Sequence, residues 1–263
     1  MNQLKAIWAY RYFIVSSIVT EFRSRFARSS LGGAWMILHP LAQVAIYALV
    51  LSAVLSAKLP GIESQYAYAI YLMAGILGWT LFAEIFSRSL SVFVDNGNLM
   101  KKMAFPKISL PLIVVGSALT NNILLFGSIF VVFGLLGHAP TMMLLWLPLL
   151  TMITLALAVG IGLSLGIINV FVRDIGQIAP ILLQFWFWLT PVVYVSNIIP
   201  EKYMFFLMLN PMSGVIIGYQ NILVYGKMPN LTHLIYPSIF AVVAMCLALF
   251  MYFRANEEMA DAL

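Results

Sequence analysis

Six long apolar stretches, with almost no charge between their ends, constrain this chain more than any other feature. A helix needs about 20 apolar residues to cross roughly 30 Å of hydrocarbon. Lipid offers an open backbone no hydrogen-bonding partner, so each stretch must be helical. The pattern predicts an all-α integral membrane protein with spans at about 33–57, 67–92, 110–137, 142–170, 177–196 and 233–254. Charged residues make up 9% of the chain, against roughly a quarter in a soluble domain, so lipid is the solvent for most of its surface. No internal repeat or low-complexity tract divides residues 1–263, and we read them as a single transmembrane domain.

The basic residues set the orientation. Lys5, Arg11, Arg23, Arg25 and Arg28 precede the first span. Arg88, Lys101, Lys102 and Lys107 flank the second loop, Arg173 lies in the fourth, and Arg254 follows the last span. These eleven of the fourteen basic residues fall on one side; Lys58, Lys202 and Lys227 fall on the other. Retention of Lys and Arg on the cytoplasmic side then places both termini in the cytoplasm. The net charge of +5 is explained by this anchoring and is no argument for nucleic acid.

Residues 1–29 do not read as a signal peptide. The apolar run Tyr12–Val19 is short and leads into Glu21, Arg23 and Arg25 rather than a small-residue cleavage site. Leu4, Ile7, Trp8, Val15, Val19, Phe22 and Phe26 recur at spacings that favour one helical face. With basic residues nearby, this predicts an amphipathic helix lying in the cytoplasmic interface. Residues 197–232 are too apolar for an ordinary loop, yet Tyr203–Leu209 and Met212–Tyr225 are each too short to cross. Asn210–Pro211 breaks the helix between them, because proline lacks an N–H and disfavours the helical state in its predecessor. We expect two short re-entrant helices on the outer side, which lipid tolerates only where protein or a water-filled cavity adjoins them.

Few residues can carry chemistry. The single cysteine, Cys246, excludes an intrachain disulfide and a Cys-based metal site. No glycine-rich nucleotide cradle is present. His39, His138 and His233 have no carboxylate at ligand spacing, so no metal is expected. Glu84 and Arg88 sit four apart near the inner end of the second span. Intramembrane charge is costly and marks function by default; the alternative is a helix-end ion pair that anchors the span and snorkels to the interface.

The aromatic residues say more. Trp35, His39, Gln43 and Tyr47 follow one another at i, i+4 steps in the first span. Tyr68, Tyr71, Gly75, Trp79, Phe82 and Phe86 recur at threes and fours in the second, and Gln177, Gln184, Trp188 and Pro191 line the fifth. Aromatic faces accept the apolar side of a pyranose ring, and amides bond its hydroxyls. These stripes therefore suit a conduit for a sugar chain; interhelical packing is the alternative.

The second cytoplasmic loop mixes Leu99, Met100, Met103 and Phe105 with Lys101, Lys102 and Lys107. That pattern predicts a short amphipathic helix, stopped by Pro106, that docks in a groove of a cytosolic partner.

Asn98-Leu99-x-Lys101-Lys102-x-x-Phe105-Pro106, Arg173-Asp174, Leu189-Thr190-Pro191-Val192-Val193-Tyr194 and Asn210-Pro211 together resemble the ABC-2 type membrane subunits that export polysaccharides, most of all O-antigen exporter permeases. Arg23-x-Arg25-Phe26-x-Arg28-Ser29-x-Leu31-Gly32-x-x-Trp35 fits the same pattern, and the likeness spans essentially the whole chain. The resemblance implies a homodimer of six-span subunits on two copies of an ABC ATP-binding subunit. ATP and Mg would sit in that partner, and this chain would bind no cofactor. Residues 98–107 would couple to the ATPase. Arg173, Asp174, Glu84 and Arg88 would lie where substrate is admitted from the cytoplasm. Pro191, Tyr194, Asn210 and Pro211 would belong to an outer gate. The substrate would be a polymer on a polyprenyl diphosphate lipid, moved across the bacterial cytoplasmic (inner) membrane. O-antigen, capsule and teichoic-acid exporters share the pattern. An integral-membrane enzyme acting on polyprenyl-linked sugars would need a carboxylate pair or metal ligands, and a secondary transporter would be helped by repeats; neither is evident.

Overall fold

The structure is a computed structural model. It describes residues 8–26, 30–46, 67–102, 105–138, 141–195, 200–255 and 258–259. Every regular element among the described residues is helical, without a strand. In chain order the helices are α1 (Arg11–Phe26), α2 (Trp35–Ile46), α3 (Ala67–Asp95), α4 (Gly97–Lys102), α5 (Ser109–Leu135), α6 (Leu147–Phe171), α7 (Ile175–Leu189), α8 (Glu201–Leu209), α9 (Pro211–Leu223) and α10 (Leu231–Ala255). Short 3₁₀ turns precede α2 and α6.

Local chemistry sets most of the boundaries. Asn210 and Asn230 cap α9 and α10, each side-chain oxygen accepting from the backbone N–H two residues on at 3.0 Å. Pro211 and Pro148 occupy first-turn positions, where their missing N–H costs nothing. Gly137, at φ +72°, ends α5, and the next N–H reaches back to the Phe133 carbonyl at 2.9 Å.

Helix α3 is the axis of the fold. It is buried almost along its length, whereas α5, α6 and α10 each keep an outer face exposed. The helices meet through small residues, because between apolar helices in lipid close backbone approach, not hydrophobicity, discriminates. Gly162 and Gly166 of α6, one turn apart, let that helix meet the backbone of Phe86 and Ser89 on α3. Gly160 lies against Ala244 and Met245 of α10, and Gly78 of α3 against Tyr219 of α9. A larger core gathers the first half of α3 with α6, α7 and α9. A second lies at the α4 end, where Phe93 stacks on Tyr252 at 6.3 Å among Met100, Leu110, Leu163 and Val170.

Among the described residues, four helical segments are long and apolar enough to cross a membrane: Ala67–Asp95, Ser109–Leu135, Met142–Phe171 and Leu231–Ala255. They coincide with four of the six expected spans to within a few residues. The fifth expected span, 177–196, departs from expectation: α7 ends at Leu189 after 15 residues, about 22 Å at the helical rise and short of the hydrocarbon thickness. The cause is Thr190–Pro191; the residue before proline is pushed out of the helical region, and Thr190 lies at φ −104°, ψ 136°. Of the first expected span, Trp35–Ile46 is helical and 47–57 falls outside the described residues.

The terminal expectations are modified in detail. Of the expected apolar face, Trp8 just before α1 and Val15 and Val19 within it are exposed, while Phe22 is buried. The helix is apolar on two sides, and it packs against α5, with Ile18 filling the space over Gly116. Residues 200–223 form two short helices broken at Asn210–Pro211, as the proline required. α9 is buried among α3, α6 and α10, and α8 is largely exposed.

Candidate functional site

Among the described residues, the α4 end of the bundle carries most of the exposed basic groups; Lys202 and Lys227 are exposed elsewhere. α3 passes through Asn96, whose amide donates to the Val92 carbonyl at 2.8 Å, straight into α4. Asn98, Lys101 and Lys102 stand exposed on this helix. Its apolar residues turn the other way. Met100 is buried in the second core, Leu99 and Phe105 pack against it, and the Phe105 ring meets Phe13 of α1 at 6.0 Å. Pro106 and Lys107 are half-buried. The expected apolar knob therefore faces inward, because its side chains close the gap between α1, α3 and α5. What remains outside is a polar and basic surface. Met103 lies outside the described residues. Arg173 and Asp174 are exposed in the turn from α6 to α7, where the Asp174 carbonyl accepts from Gln177 at 3.0 Å to start α7.

One helical step deeper lies a charged cluster. Arg88 bonds Glu21 of α1 at 2.8 Å and reaches its own-helix neighbour Glu84 at 3.5 Å. From α5, Ser117 donates to Glu21 at 2.7 Å and Asn121 to Glu84 at 2.6 Å. The charged side chains keep about a quarter of their surface exposed (27–28%), so they are partly desolvated rather than sealed. Sequence spacing found Glu84 and Arg88 but missed Glu21, which is 67 residues from Arg88. The available signal was a lone acid within an otherwise apolar and basic interface helix.

The expected conduit residues separate into two groups. Trp79 and Phe82 are buried: Trp79 lies 5.5 Å from both Phe82 and Phe187, and Phe82 meets Trp186 edge-on at 5.0 Å. They are packing residues between α3 and α7, so the sugar-facing surface expected of them gives way to the packing alternative. Partly or fully exposed positions of α3 such as Thr80, Glu84, Ser87 and Ser91 lie on a different face of the helix from Trp79 and Phe82. Trp35, Gln184 and Trp188 are exposed, and α7 turns Ala179 inward while presenting Gln177, Ile181, Gln184, Phe185 and Trp188 outward. Tyr47 and the side chain of Gln43 lie outside the described residues.

At the opposite end, the residues expected at an outer gate meet around one turn. Asn210 accepts from the Trp186 indole at 2.7 Å, caps α9, and donates to Thr190 Oγ1 at 2.9 Å and the Leu189 carbonyl at 3.3 Å. Gln220 of α9 donates to the buried Pro191 carbonyl at 2.8 Å. Tyr71 of α3 donates to the Tyr194 carbonyl at 3.1 Å, and Tyr68 to that of Val193. Pro211 starts α9 beside this turn. Side chains of α3 and α9, with the Asn210 cap, thus satisfy the backbone that Pro191 leaves open. Sequence reading put Tyr68 and Tyr71 in a stripe; their role as clamps on 191–194 lay beyond it. Nearby, a cleft between the ends of α5 and α9 is lined mainly by Phe126, Phe130, Phe133, Leu144 and Ile222, with His138 bonded to the Leu223 carbonyl at 2.7 Å.

Residues 13–224 match the ABC-2 type transporter family. The O-antigen export system permease protein RfbA of Myxococcus xanthus is 28% identical over 262 residues, covering 99% of this chain and 98% of that protein. An O-antigen export system permease protein RfbA of Klebsiella pneumoniae is 25% identical, covering 79% of this chain and 78% of its own length. The polysialic acid transport protein KpsM of Escherichia coli is 24% identical, covering 90% of this chain and 91% of its own.

Proposed function

This chain belongs to the ABC-2 type transporter family, and on that footing we propose that it is the permease subunit of an ATP-driven polysaccharide exporter, with O-antigen as the cargo. The observation that carries the reading is the full-length likeness to an O-antigen export permease. The likeness to a polysialic acid transport protein supports the broader class and keeps capsular polysaccharide as the second reading. Transport by such a permease is not itself enzymatic; ATP and Mg belong to a separate ATP-binding subunit.

The finer arrangement follows from charge and helix ends. Arg88, Lys101, Lys102, Lys107, Arg173 and Arg254 gather at the α4 end, which we assign to the cytoplasm of a bacterial cell with both termini there. Asn98, Lys101 and Lys102 would then meet the ATPase, with Arg173 and Asp174 beside them. Six spans result if residues 47–57 complete α2 and 190–196 extend the crossing begun by α7. The exposed faces of α2 and α7, bearing Trp35, Gln184 and Trp188, are the surfaces left to line a conduit between two copies of the chain. The turn at 191–194, with Asn210 and Pro211, would close its outer end around a polyprenyl-diphosphate-linked chain.

The test is genetic and biochemical. In a strain lacking this chain, lipid-linked polysaccharide should accumulate inside and surface polysaccharide should vanish, and the wild-type chain should restore it. Lys101→Glu with Lys102→Glu should insert normally but fail to co-purify with the ATPase or restore export. Unchanged surface polysaccharide in the deletion would contradict the exporter reading.

A further inference from the structure

Glu21, Glu84 and Arg88 gather three charges on a partly desolvated surface, where three apolar side chains would pack at lower cost. The arrangement ties α1 to both flanks of α4. Phe13 lies on Phe105 beyond α4 at 6.0 Å, and Glu21 holds Arg88, which lies before it on α3, at 2.8 Å. A fixed strut between α1 and α3 needs one acid and one base. Here a second acid, Glu84, stands on α3 itself, one turn before Arg88. Each carboxylate also has its own neutral donor on α5: Ser117 at 2.7 Å for Glu21 and Asn121 at 2.6 Å for Glu84. Either acid therefore keeps a hydrogen bond when the guanidinium leaves it, and Arg88 keeps a counter-charge whether or not α1 is in place.

We propose that Glu21, Arg88 and Glu84 form a two-position ionic latch, in which Arg88 holds α1 through Glu21 in the present state and falls back on Glu84 when α1 moves away from α5. In this latch Arg88 and Glu21 act as positioning residues: they make the seating of α1 depend on the helix that runs into α4. What the latch serves rests on the exporter reading; its geometry does not.

The test uses the complex of this chain with its ATPase in vesicles, on a Cys246→Ala background. The Ile18 side chain fills the space over Gly116, so Ile18→Cys with Gly116→Cys places two thiols across the α1–α5 contact. Closing the disulfide with copper-phenanthroline should lower export by roughly tenfold or more, with recovery on reduction and with the ATPase still bound. Export that is indifferent to the closed disulfide overturns the latch. The exchange Glu21→Arg with Arg88→Glu restores a pair between α1 and α3 but leaves both carboxylates on α3 and the cation on α1. A fixed strut then regains wild-type export. The latch predicts recovered yield of folded complex with export still roughly tenfold down, because α3 loses its counter-charge when α1 departs. Full rescue of export by the exchange overturns the proposal. Failure of the wild-type complex to move polysaccharide would instead count against the exporter reading.

Discussion

Trp79 and Trp188 carry the same side chain in opposite surroundings: one is 7% exposed between α3 and α7, the other 61% exposed on the outer face of α7. Burial decides what removing each ring does. Trp79→Ala leaves a cavity beside Phe82 and Phe187, at a cost of about 3–5 kcal/mol. The yield and thermal stability of the complex should fall, with export per folded complex unchanged. Trp188→Ala opens no cavity, so yield should hold while export per folded complex drops; Trp188→Phe should be milder because a ring face remains. Transport assays normalised to folded complex check both. A loss of specific export in Trp79→Ala at normal stability would return that residue to the conduit. Helical spacing made the two tryptophans look equivalent, since periodicity gives a face but not which neighbour covers it.

At the scale of the elements, the junction of α7, α8 and α9 depends on one side chain. Asn210 serves the Trp186 indole, the α9 N-cap and Thr190 together. Asn210→Ala loses a cap and leaves the indole N–H without its acceptor, for about 2–3 kcal/mol of destabilisation. Asn210→Asp keeps the acceptor oxygens and should lose less. Thermal unfolding of the purified protein followed by tryptophan fluorescence measures this, and an unshifted midpoint for the alanine variant would contradict it. The long elements were legible in the sequence because composition alone defines them: Ser109–Leu135 and Leu231–Ala255 fall within two residues of the apolar stretches that predicted them. The break at Asn210–Pro211 was legible from proline chemistry. The short reach of α7 was signalled by Pro191 and outweighed by the apolar run beyond it. What stayed hidden depends on contacts between distant segments, such as Glu21 with Arg88 and Tyr71 with Tyr194. The inward turn of Leu99 and Phe105 was hidden likewise, because an amphipathic loop does not reveal which of its faces the bundle covers.

For the molecule as a whole, the buried axis α3 connects the two ends. Its first half clamps the 191–194 turn through Tyr68 and Tyr71, its second half holds Arg88, and its end leads into α4. A single rigid element thus reaches from the proposed outer closure to the proposed ATPase contact, which is the layout a permease needs to relate hydrolysis on one side to opening on the other. The proposed function requires that this chain move lipid-linked polysaccharide when its ATPase partner turns over. The direct measurement is transfer of polyprenyl-diphosphate-linked polysaccharide across vesicles containing the purified complex, with and without ATP. Transfer should depend on ATP and disappear when Lys101→Glu with Lys102→Glu separates the chain from its ATPase. Transfer that proceeds equally without ATP, or no transfer by a complex that hydrolyses ATP in the presence of the polymer, would contradict the proposed function.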